Sequence, residues 1–518
     1  MEVLEMRIEI DRGRKAPAYR QIYEQIAAKI RIGELLPGDS LPPERKLAET
    51  IGVNRTTVLN AYRELKADGL LDSRVGHGTF VADRMAGSDM RLTGSPKPMY
   101  THSDGGELPW QRLFSESSAA FESHLLKDLL TLASRRDIIT FATGIASPDS
   151  GPSEILRGLE DKILVEHELR GLLHAPAEGF LSFRTALCRM MRRRGVEAVP
   201  DEVMVLSGSQ QGIDVLARVL IDPGDVVVVE EPTYFPAITA FRAAGARVVG
   251  VPLDADGLRT DILEEILQRS RPKFVYTMPS HQNPTGIDMS LPRRRELLAL
   301  AARYRVPLIE DDAYGELSYD HAPLPTLKSM DRDGHVIYLS TFSKVVYSGL
   351  RIGWMIGHKK LIKRAISVKQ TADLHSSSLS QYLLEPFLEQ GFERHIEKMR
   401  IEYRGKRDLM CDSLERYMPD GVTWDRPVGG YYIWALLPHG ADMALLLRKA
   451  AGQGVAFVPG SAFYHDGRAS ETIRLNFTGA SMAEIPEGIR RLSEALRETL
   501  KESIPPAAGD DFELRPIV

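Results

Sequence analysis

Residues 338–353 read YLSTFSKVVYSGLRIG. The run Val336–Leu339 has the length and apolar character of a buried strand, and it passes through small hydroxyl residues to Lys344. A lysine at the C-terminal end of such a strand is partly desolvated. Its amine can then be neutral and nucleophilic near pH 7, as Schiff-base chemistry requires. Seven residues on, Arg351 lies inside Gly349–Gly353 and offers a planar fork for a phosphate. A solvated lysine and a solvated arginine are the plain alternative for this pair.

The flanking sequence supports the buried reading. From about Asp137 to about Glu498, short apolar runs alternate with amphipathic stretches of helical period. The runs include Val203–Leu206, Val226–Val229, Phe274–Thr277 and Val306–Ile309. That alternation predicts an α/β domain with a mostly parallel sheet, whose ligands lie at the carboxyl edge of the strands. Asp311 ends one run at that edge and could pair with a protonated ring nitrogen; an acid there is also a common helix cap. Tyr314, three residues later, and Asn283, in Asn283-Pro284-Thr285-Gly286, could both donate to a phenolic oxygen. Ser209 and Gln210 stand in the small-residue turn Ser207–Gly212, where the amides of a helix N-terminus can take a phosphate. Tyr234 follows Val226–Val229 and could stack on a planar ring or fill the core. Arg474, in Ile473–Phe477, lies in a late strand where a cation needs a partner, and a substrate carboxylate is a good one.

Length and composition narrow the classes. The chain has 518 residues, 43% hydrophobic and 26% charged, with 42 Gly and 31 Pro. These values fit several globular domains and exclude collagen-like or globally disordered chains. No repeat of 20–50 residues occurs. No apolar stretch approaches the ~18 residues of a membrane helix, and the charged start MEVLEMRIEI has no secretory h-region. Two cysteines, Cys188 and Cys411, exclude a disulfide scaffold and a Cys-rich zinc site, and fit a reducing cytoplasm. The net charge is −5. Bulk electrostatics therefore offer nothing to nucleic acid, and DNA binding has to rest on a local element.

Residues 16–82 supply that element. Tyr19, Ile22, Ile26 and Ile30 repeat at helical spacing over Pro17–Ile32. Pro42-Pro43 opens a second helix with Leu47, Ala48 and Ile51 inside, and Gly52 breaks it. Asn54 caps a third, whose buried stripe is Val58, Ala61, Tyr62 and Leu65. Leu70–Arg74 and Thr79–Val81 read as strands joined through Val75–Gly78. Helix, tight turn, helix and β-hairpin make a winged helix-turn-helix. Arg55, Thr56, Thr57 and Asn60 lie off the apolar stripe and could reach phosphates and base edges in a major groove. Arg45 and Lys46 would sit near the backbone, with His77 and its flanking Gly76 and Gly78 at a minor groove or phosphate. A merely solvated helical face is the alternative, since residues 1–84 hold 14 Lys and Arg against 13 Asp and Glu. Between the two domains, 10 of the 23 residues of Gly87–Pro109 are Gly, Ser or Pro, which predicts a linker. A helical-looking stretch, Trp110–Leu130, follows it. The segment Ser503–Val518, with Pro505-Pro506, reads as a frayed tail. The expected domains are thus 1–84, a linker and connecting helix over 85–136, 137–500, and a tail over 501–518.

Three resemblances sharpen these expectations. LPPERKLAETIGVNRTTVLNAYRELKADGLL followed by GHGTFVAD resembles the GntR winged-helix domain, which implies DNA contacts from Arg45, Arg55, Thr56, Thr57 and the Gly76–Gly78 wing. The ordered set Asn-Pro-Thr-Gly, Asp-x-x-Tyr, Ser/Thr-x-Ser-Lys and a late Arg resembles the fold-type I pyridoxal-phosphate aminotransferases. That likeness implies a smaller C-terminal α+β subdomain and pyridoxal 5'-phosphate as cofactor. Lys344 would form the internal aldimine and Asp311 would hold the pyridine nitrogen. Asn283 and Tyr314 would hold the phenolic oxygen, with Tyr234 on the ring. Ser209, Gln210, Thr341, Ser343 and Arg351 would surround the phosphate, and Arg474 would take the substrate carboxylate. Two departures stand out: Ser348 replaces a frequent proline, and His174-Ala175-Pro176 replaces a frequent Tyr-Gly-Pro whose tyrosine reaches the partner's phosphate in dimeric relatives. The two domains together resemble the MocR family, also called GabR-like regulators. That resemblance implies a cytoplasmic homodimer that binds operator DNA and senses an amino acid, an amine or the cofactor through an aldimine. An active aminotransferase carrying a DNA-binding domain is the alternative it leaves.

Overall fold

The computed structural model describes residues 8, 10, 17–31, 35, 39–67, 70–74, 78–81, 110–115, 118, 137–144, 150–153, 156 and 173–503. Gly76, His77, the linker Gly87–Pro109, most of Trp110–Leu130 and the segment 504–518 lie outside these residues. The chain divides into two compact units, Met1–Leu108 and Pro109–Val518.

In the first unit, α1 (Ala18–Arg31), α2 (Glu44–Ile51) and α3 (Arg55–Ala67) enclose a small core. Ile22 and Ile26 of α1 meet Val58, Ala61, Tyr62 and Leu65 of α3, all fully buried. Pro43 precedes α2 with extended backbone, so its missing N–H costs the helix nothing. Gly52 closes α2 at φ 69°, a left-handed conformation in which a side chain would be strained. The Tyr62 hydroxyl donates to Pro42 O at 2.8 Å and ties α3 to the start of α2. Among the described residues three short strands accompany these helices: β1 (Ser40–Leu41), β2 (Leu71–Arg74) and β3 (Gly78–Val81) form an antiparallel sheet in the order β1-β3-β2. The sequence reading anticipates the hairpin but not β1, which is too short for an alternation signal.

The second unit is built on an eight-stranded sheet. Its strands are β5 (Val203–Leu206), β6 (Val226–Glu231), β7 (Arg247–Asp254), β8 (Gly257–Leu258), β9 (Val275–Thr277), β10 (Leu308–Asp311), β11 (Val336–Thr341) and β12 (Gly353–Ile356), in the order β5-β12-β11-β10-β9-β6-β7-β8. The central strands are parallel, and β12 runs antiparallel to both its neighbours. Strands β5, β10, β11 and β12 are buried at every position, and β5 accordingly reads as a continuous apolar run, whereas β10 and β11 carry buried polar residues at their carboxyl ends. The register of β12 brings the ends of three strands together, since Gly353 pairs with both Thr341 and Leu206. A Cβ on Gly353 would lie within 2.7–2.9 Å of Ser340 O, Gly208 C and Ser209 N. These are backbone atoms that cannot swing away, so only glycine permits this approach.

A smaller antiparallel sheet comes from the chain's last third: β13 (Thr423–Trp424), β14 (Tyr432–Leu436), β16 (Val458–Pro459) and β17 (Thr472–Asn476), ordered β13-β14-β17-β16. Between β14 and β16 in sequence, β15 (Val455–Ala456) pairs in parallel with β4 (Ile139–Thr140), which anchors residues 137–144 beside this sheet. This is the α+β subdomain expected from the resemblance. No helix among the described residues is long and apolar enough to cross a membrane.

Candidate functional site

Lys344 stands on a one-turn 3₁₀ helix, Phe342–Lys344, directly after β11. Its Nζ donates to Gly144 O at 2.6 Å and its own carbonyl accepts from Tyr431 Oη at 2.5 Å. Burial pushes the ammonium below the ordinary lysine range. Gly144 reaches the lysine because the Asn476 side chain holds the Thr143 carbonyl and Asn476 N donates to Phe141 O at 2.9 Å. A Cβ on Gly144 would fall 2.5 Å from Tyr432 Oη and 3.4 Å from Lys344 Nζ.

Asp311 ends β10, buried, and its Oδ2 accepts from Tyr276 Oη at 2.7 Å. Its Oδ1 has no hydrogen-bond partner. Burial raises its carboxyl to about 6, against the opposing hydrogen bond from Tyr276. Tyr314 Oη lies 3.0 Å from Tyr432 Oη. Tyr234, at the entrance of the helix Phe235–Ala243, has its phenol pushed up by burial and next by Asp311.

A second cluster lies at the start of the helix Ser209–Leu220. Its N-cap is Gly208, with no side chain capping the end. Arg351, itself left-handed at φ 51°, donates from Nη2 to Ser207 O at 2.8 Å and from Nη1 to Ser343 Oγ at 3.3 Å. Thr341 Oγ1 and Ser343 Oγ are 2.9 Å apart. A Cβ on Gly208 would lie 2.7 Å from Arg351 Nη2. Ser348 occupies the place of a frequent proline, and its carbonyl accepts from Arg351 N and Nη1. The arginine is thus held by backbone there. Gln210 Nε2 reaches Pro236 O at 3.4 Å while its Oε1 is buried without a partner.

Arg474 lies at the centre of β17, opposite Trp434 and Val458. Nη1 donates to Asn283 Oδ1 at 2.9 Å and Nη2 to Ala142 O at 2.8 Å, while Nε has no partner. Its guanidinium carbon lies 4.2 Å from the Tyr432 ring centre and 4.9 Å from that of Phe463. His174, which stands where a tyrosine is frequent, sets its Nδ1 3.0 Å from Nε2 of His375 in the same chain.

On α3, Arg55 is 67% exposed and its Nη2 is 3.8 Å from Glu44, too loose a pair to hold it. Thr56 and Asn60 are exposed and Thr57 half-buried. Arg45 is exposed and pairs with Glu49. Gly78 begins β3.

Sequence reasoning missed Gly144, Tyr276, Tyr431 and Tyr432. The pair Gly429-Gly430 before Tyr431-Tyr432 was the available signal, since both glycines pack against His281.

The described geometry fits pyridoxal phosphate at two points. Asp311 Oδ1 is a buried acceptor awaiting a donor, and the glycine-lined helix start beside Arg351 is shaped for an anion. Comparison with known proteins agrees. Residues 154–492 match the family "aminotransferase class I and II", and residues 18–81 match "bacterial regulatory proteins, gntR family". The aromatic-amino-acid aminotransferase 1 of Thermococcus litoralis is 40% identical over 76% of this chain and 96% of its own length. A structure of an alpha-aminoadipate aminotransferase from Thermus thermophilus, complexed with N-(5'-phosphopyridoxyl)-L-leucine, is 36% identical. It superposes with a TM-score of 0.72, covering 76% of this chain and 100% of that one. The probable rhizopine catabolism regulatory protein MocR of Rhizobium meliloti is 31% identical over 94% of this chain and 95% of its own. The chain belongs to the MocR-like regulators. As a MocR-like regulator it joins a gntR-type DNA-binding domain to an aminotransferase-like domain that takes pyridoxal phosphate.

Proposed function

We propose that this MocR-like regulator senses an amino acid at the pyridoxal-phosphate site and adjusts its grip on operator DNA as a homodimer. The observation that carries the reading is Arg474. It is a buried cation whose hydrogen-bond partners, Asn283 and Ala142 O, are neutral, and it lies against the ring of Tyr432, whose hydroxyl meets that of Tyr314. A carboxylate ligand would supply its missing charge partner.

In this reading Lys344 offers its amine to the cofactor aldehyde. Asp311 takes the ring nitrogen through Oδ1, and Tyr276 holds that carboxylate in place. Asn283 and Tyr314 address the phenolic oxygen and Tyr234 lies on the ring. Ser209, Gln210, Thr341, Ser343 and Arg351 hold the phosphate. When bound, the cofactor supplies an aldehyde that condenses with primary amines and a ring that withdraws electrons. A ligand amine would take the place of the Lys344 amine at the aldehyde, leaving Lys344 as a free amine, and the ligand's carboxylate would bind Arg474 on the small sheet. Such a ligand bridges the two sheets and favours whichever arrangement brings them together, a differential contact that can shift a conformational equilibrium. Gel-shift titration of the chain's own upstream region, with and without candidate amino acids, tests this. An affinity that no amino acid changes would overturn it.

A second reading rests on the completeness of the site. Lysine, aspartate and arginine are all present, and the Thermococcus litoralis relative is an aminotransferase by name. Sustained conversion of a 2-oxo acid at many turnovers per site would favour it.

Two outcomes check the parts. Arg55→Ala is expected to weaken specific DNA binding by ~1–3 kcal/mol, the worth of one bidentate guanine contact, and to leave cofactor binding intact. Gel shifts at fixed salt alongside the visible spectrum read both effects. Gly208→Val is expected to weaken cofactor affinity at least ~tenfold. It places a branched side chain at φ 96° against Arg351, in the approach to the helix amides. Fluorescence titration with pyridoxal phosphate, and with pyridoxal lacking the phosphate, separates this from general disruption: only the phosphorylated form should lose affinity.

A further inference from the structure

Asp373 closes the helix Lys359–Asp373, where a carboxylate meets the negative end of the helix dipole. Its cation, Lys369, stands one turn earlier in the chain, the poorer order for such a pair, and is fully buried. Leu374 follows at φ 61°, left-handed backbone that a leucine adopts at a cost. Local preference therefore opposes these residues, and their use lies across the fold.

Asp373 Oδ2 accepts from Ser207 Oγ at 2.8 Å and from Gln211 Nε2 at 2.7 Å, while Oδ1 accepts from Lys369 Nζ at 2.8 Å. Gln211 Oε1 in turn accepts from Ser207 N at 2.8 Å, which closes a ring of hydrogen bonds among Ser207, Gln211 and Asp373. Arg351 Nη2 takes the remaining polar atom, Ser207 O, at 2.8 Å. Every polar atom of Ser207 is thus held, directly before Gly208 at φ 96° and the start of the helix Ser209–Leu220. Gln211 occupies the third position of that helix, from which a side chain ordinarily turns back onto the N-cap. Here it reaches past the N-cap to Ser207. The helix start has no side-chain cap, and its free N–H groups remain for an anion.

We propose that Asp373 is a positioning residue for the cofactor phosphate: through Ser207 and Gln211 it fixes the turn that aims the helix N–H groups, and Lys369 is buried against it to cancel its charge. The proposal rests on the phosphate lying at this helix start, as in the reading above. A carboxylate suits the grip because it accepts from several donors at once and donates to none. Burial would raise the Asp373 carboxyl, and hydrogen bonds from Lys369, Gln211 and Ser207 outweigh it, so the group sits below the usual carboxylate range. Burial lowers the Lys369 ammonium, and its bond to Asp373 opposes that. An ionised carboxylate alone behind the turn would repel a phosphate dianion. The lysine removes that repulsion through Oδ1 and leaves Oδ2 to both donors.

Full-length variants titrated by fluorescence with pyridoxal phosphate and with pyridoxal give the ratio of the two affinities. Lys369→Met/Asp373→Leu removes the charges together and leaves Ser207 Oγ and Gln211 Nε2 without their acceptor. It should lower the preference for the phosphorylated form about tenfold, the worth of two hydrogen bonds. Lys369→Met/Asp373→Asn also removes both charges but keeps one oxygen that can accept from both donors, and it should recover most of that preference. Lys369→Met alone leaves the carboxylate unpaired and should lie below the asparagine double variant. Ser207→Ala keeps the charge pair, should lose part of the preference, and serves where a change at the buried pair prevents folding. An unchanged preference in Lys369→Met/Asp373→Leu and Ser207→Ala overturns the proposal. Equal loss of both ligands, or no recovery with asparagine, makes the pair merely structural and overturns it too. Gly208→Val tells the two readings apart. If it alone lowers the preference, the phosphate lies at this helix and Asp373 does not position it. If it leaves the preference unchanged, the placement of the phosphate falls and this proposal falls with it.

Discussion

Lys344→Ala is expected to remove the covalent link between protein and cofactor while the fold survives. Purified wild-type chain should be yellow, and borohydride should fix pyridoxal phosphate to a peptide containing Lys344. The variant should show neither property. Equilibrium affinity should drop on the order of a hundredfold, about 2.8 kcal/mol, because the phosphate and ring contacts remain but the covalent bond is gone. The side chain's own packing is modest: it is half-buried and makes one hydrogen bond, to Gly144 O. Lys344→Arg separates charge from chemistry. It preserves a cation beside Asp311 and Tyr432 but has no amine that can be neutral near pH 7, so it should behave like the alanine variant in trapping. A variant at position 344 that is still trapped by borohydride would mean another lysine is the nucleophile. Lys369, a fully buried lysine of the same unit, is a poor substitute. It is committed to Asp373 at 2.8 Å, within the helix Lys359–Asp373.

What could be read from sequence followed the range of each interaction. The positions of Asp311 and Lys344 were legible because an apolar run of strand length ends at or shortly before each of them. The three helices of the first unit were legible because Ile22, Ile26, Val58 and Tyr62 carry a helical period that burial confirms. The direction of β12 was not, because an apolar run reads the same both ways. Its antiparallel pairing follows from the short return through Ser348–Arg351, too short for a parallel crossover. Gly144 could not be read at all. It lies 200 residues from Lys344 in sequence and meets it only because β4 pairs with β15 and Asn476 holds the Thr143 carbonyl. Tyr276 reads as strand core, which it is by burial, but its hydroxyl is what fixes Asp311.

Arg474→Ala is expected to have the largest effect on sensing, and the reason is the arginine's surroundings. Among the described residues no carboxylate lies within ion-pair distance of it, and its partners are an amide oxygen, a backbone carbonyl and two aromatic faces. A buried cation held this way is tolerated in the free protein by neutral acceptors and becomes well paired when a ligand carboxylate arrives. Losing one member of such a buried pair typically costs about 2–5 kcal/mol, so the amino-acid concentration for half-maximal change in DNA affinity should rise by roughly thirty-fold to a few thousand-fold. Arg474→Lys should fall between, because a point charge cannot reproduce the planar fork that Asn283 and Ala142 orient. A matched pair of ligands makes the test specific. An amino acid should lose potency in the variant, whereas the amine of the same side chain without its carboxylate, having nothing to give Arg474, should bind both proteins alike. If the amino acid's dose dependence were unchanged in Arg474→Ala, the carboxylate would not be what this pocket reads. The signal would then be a simple amine, or occupancy by the cofactor itself.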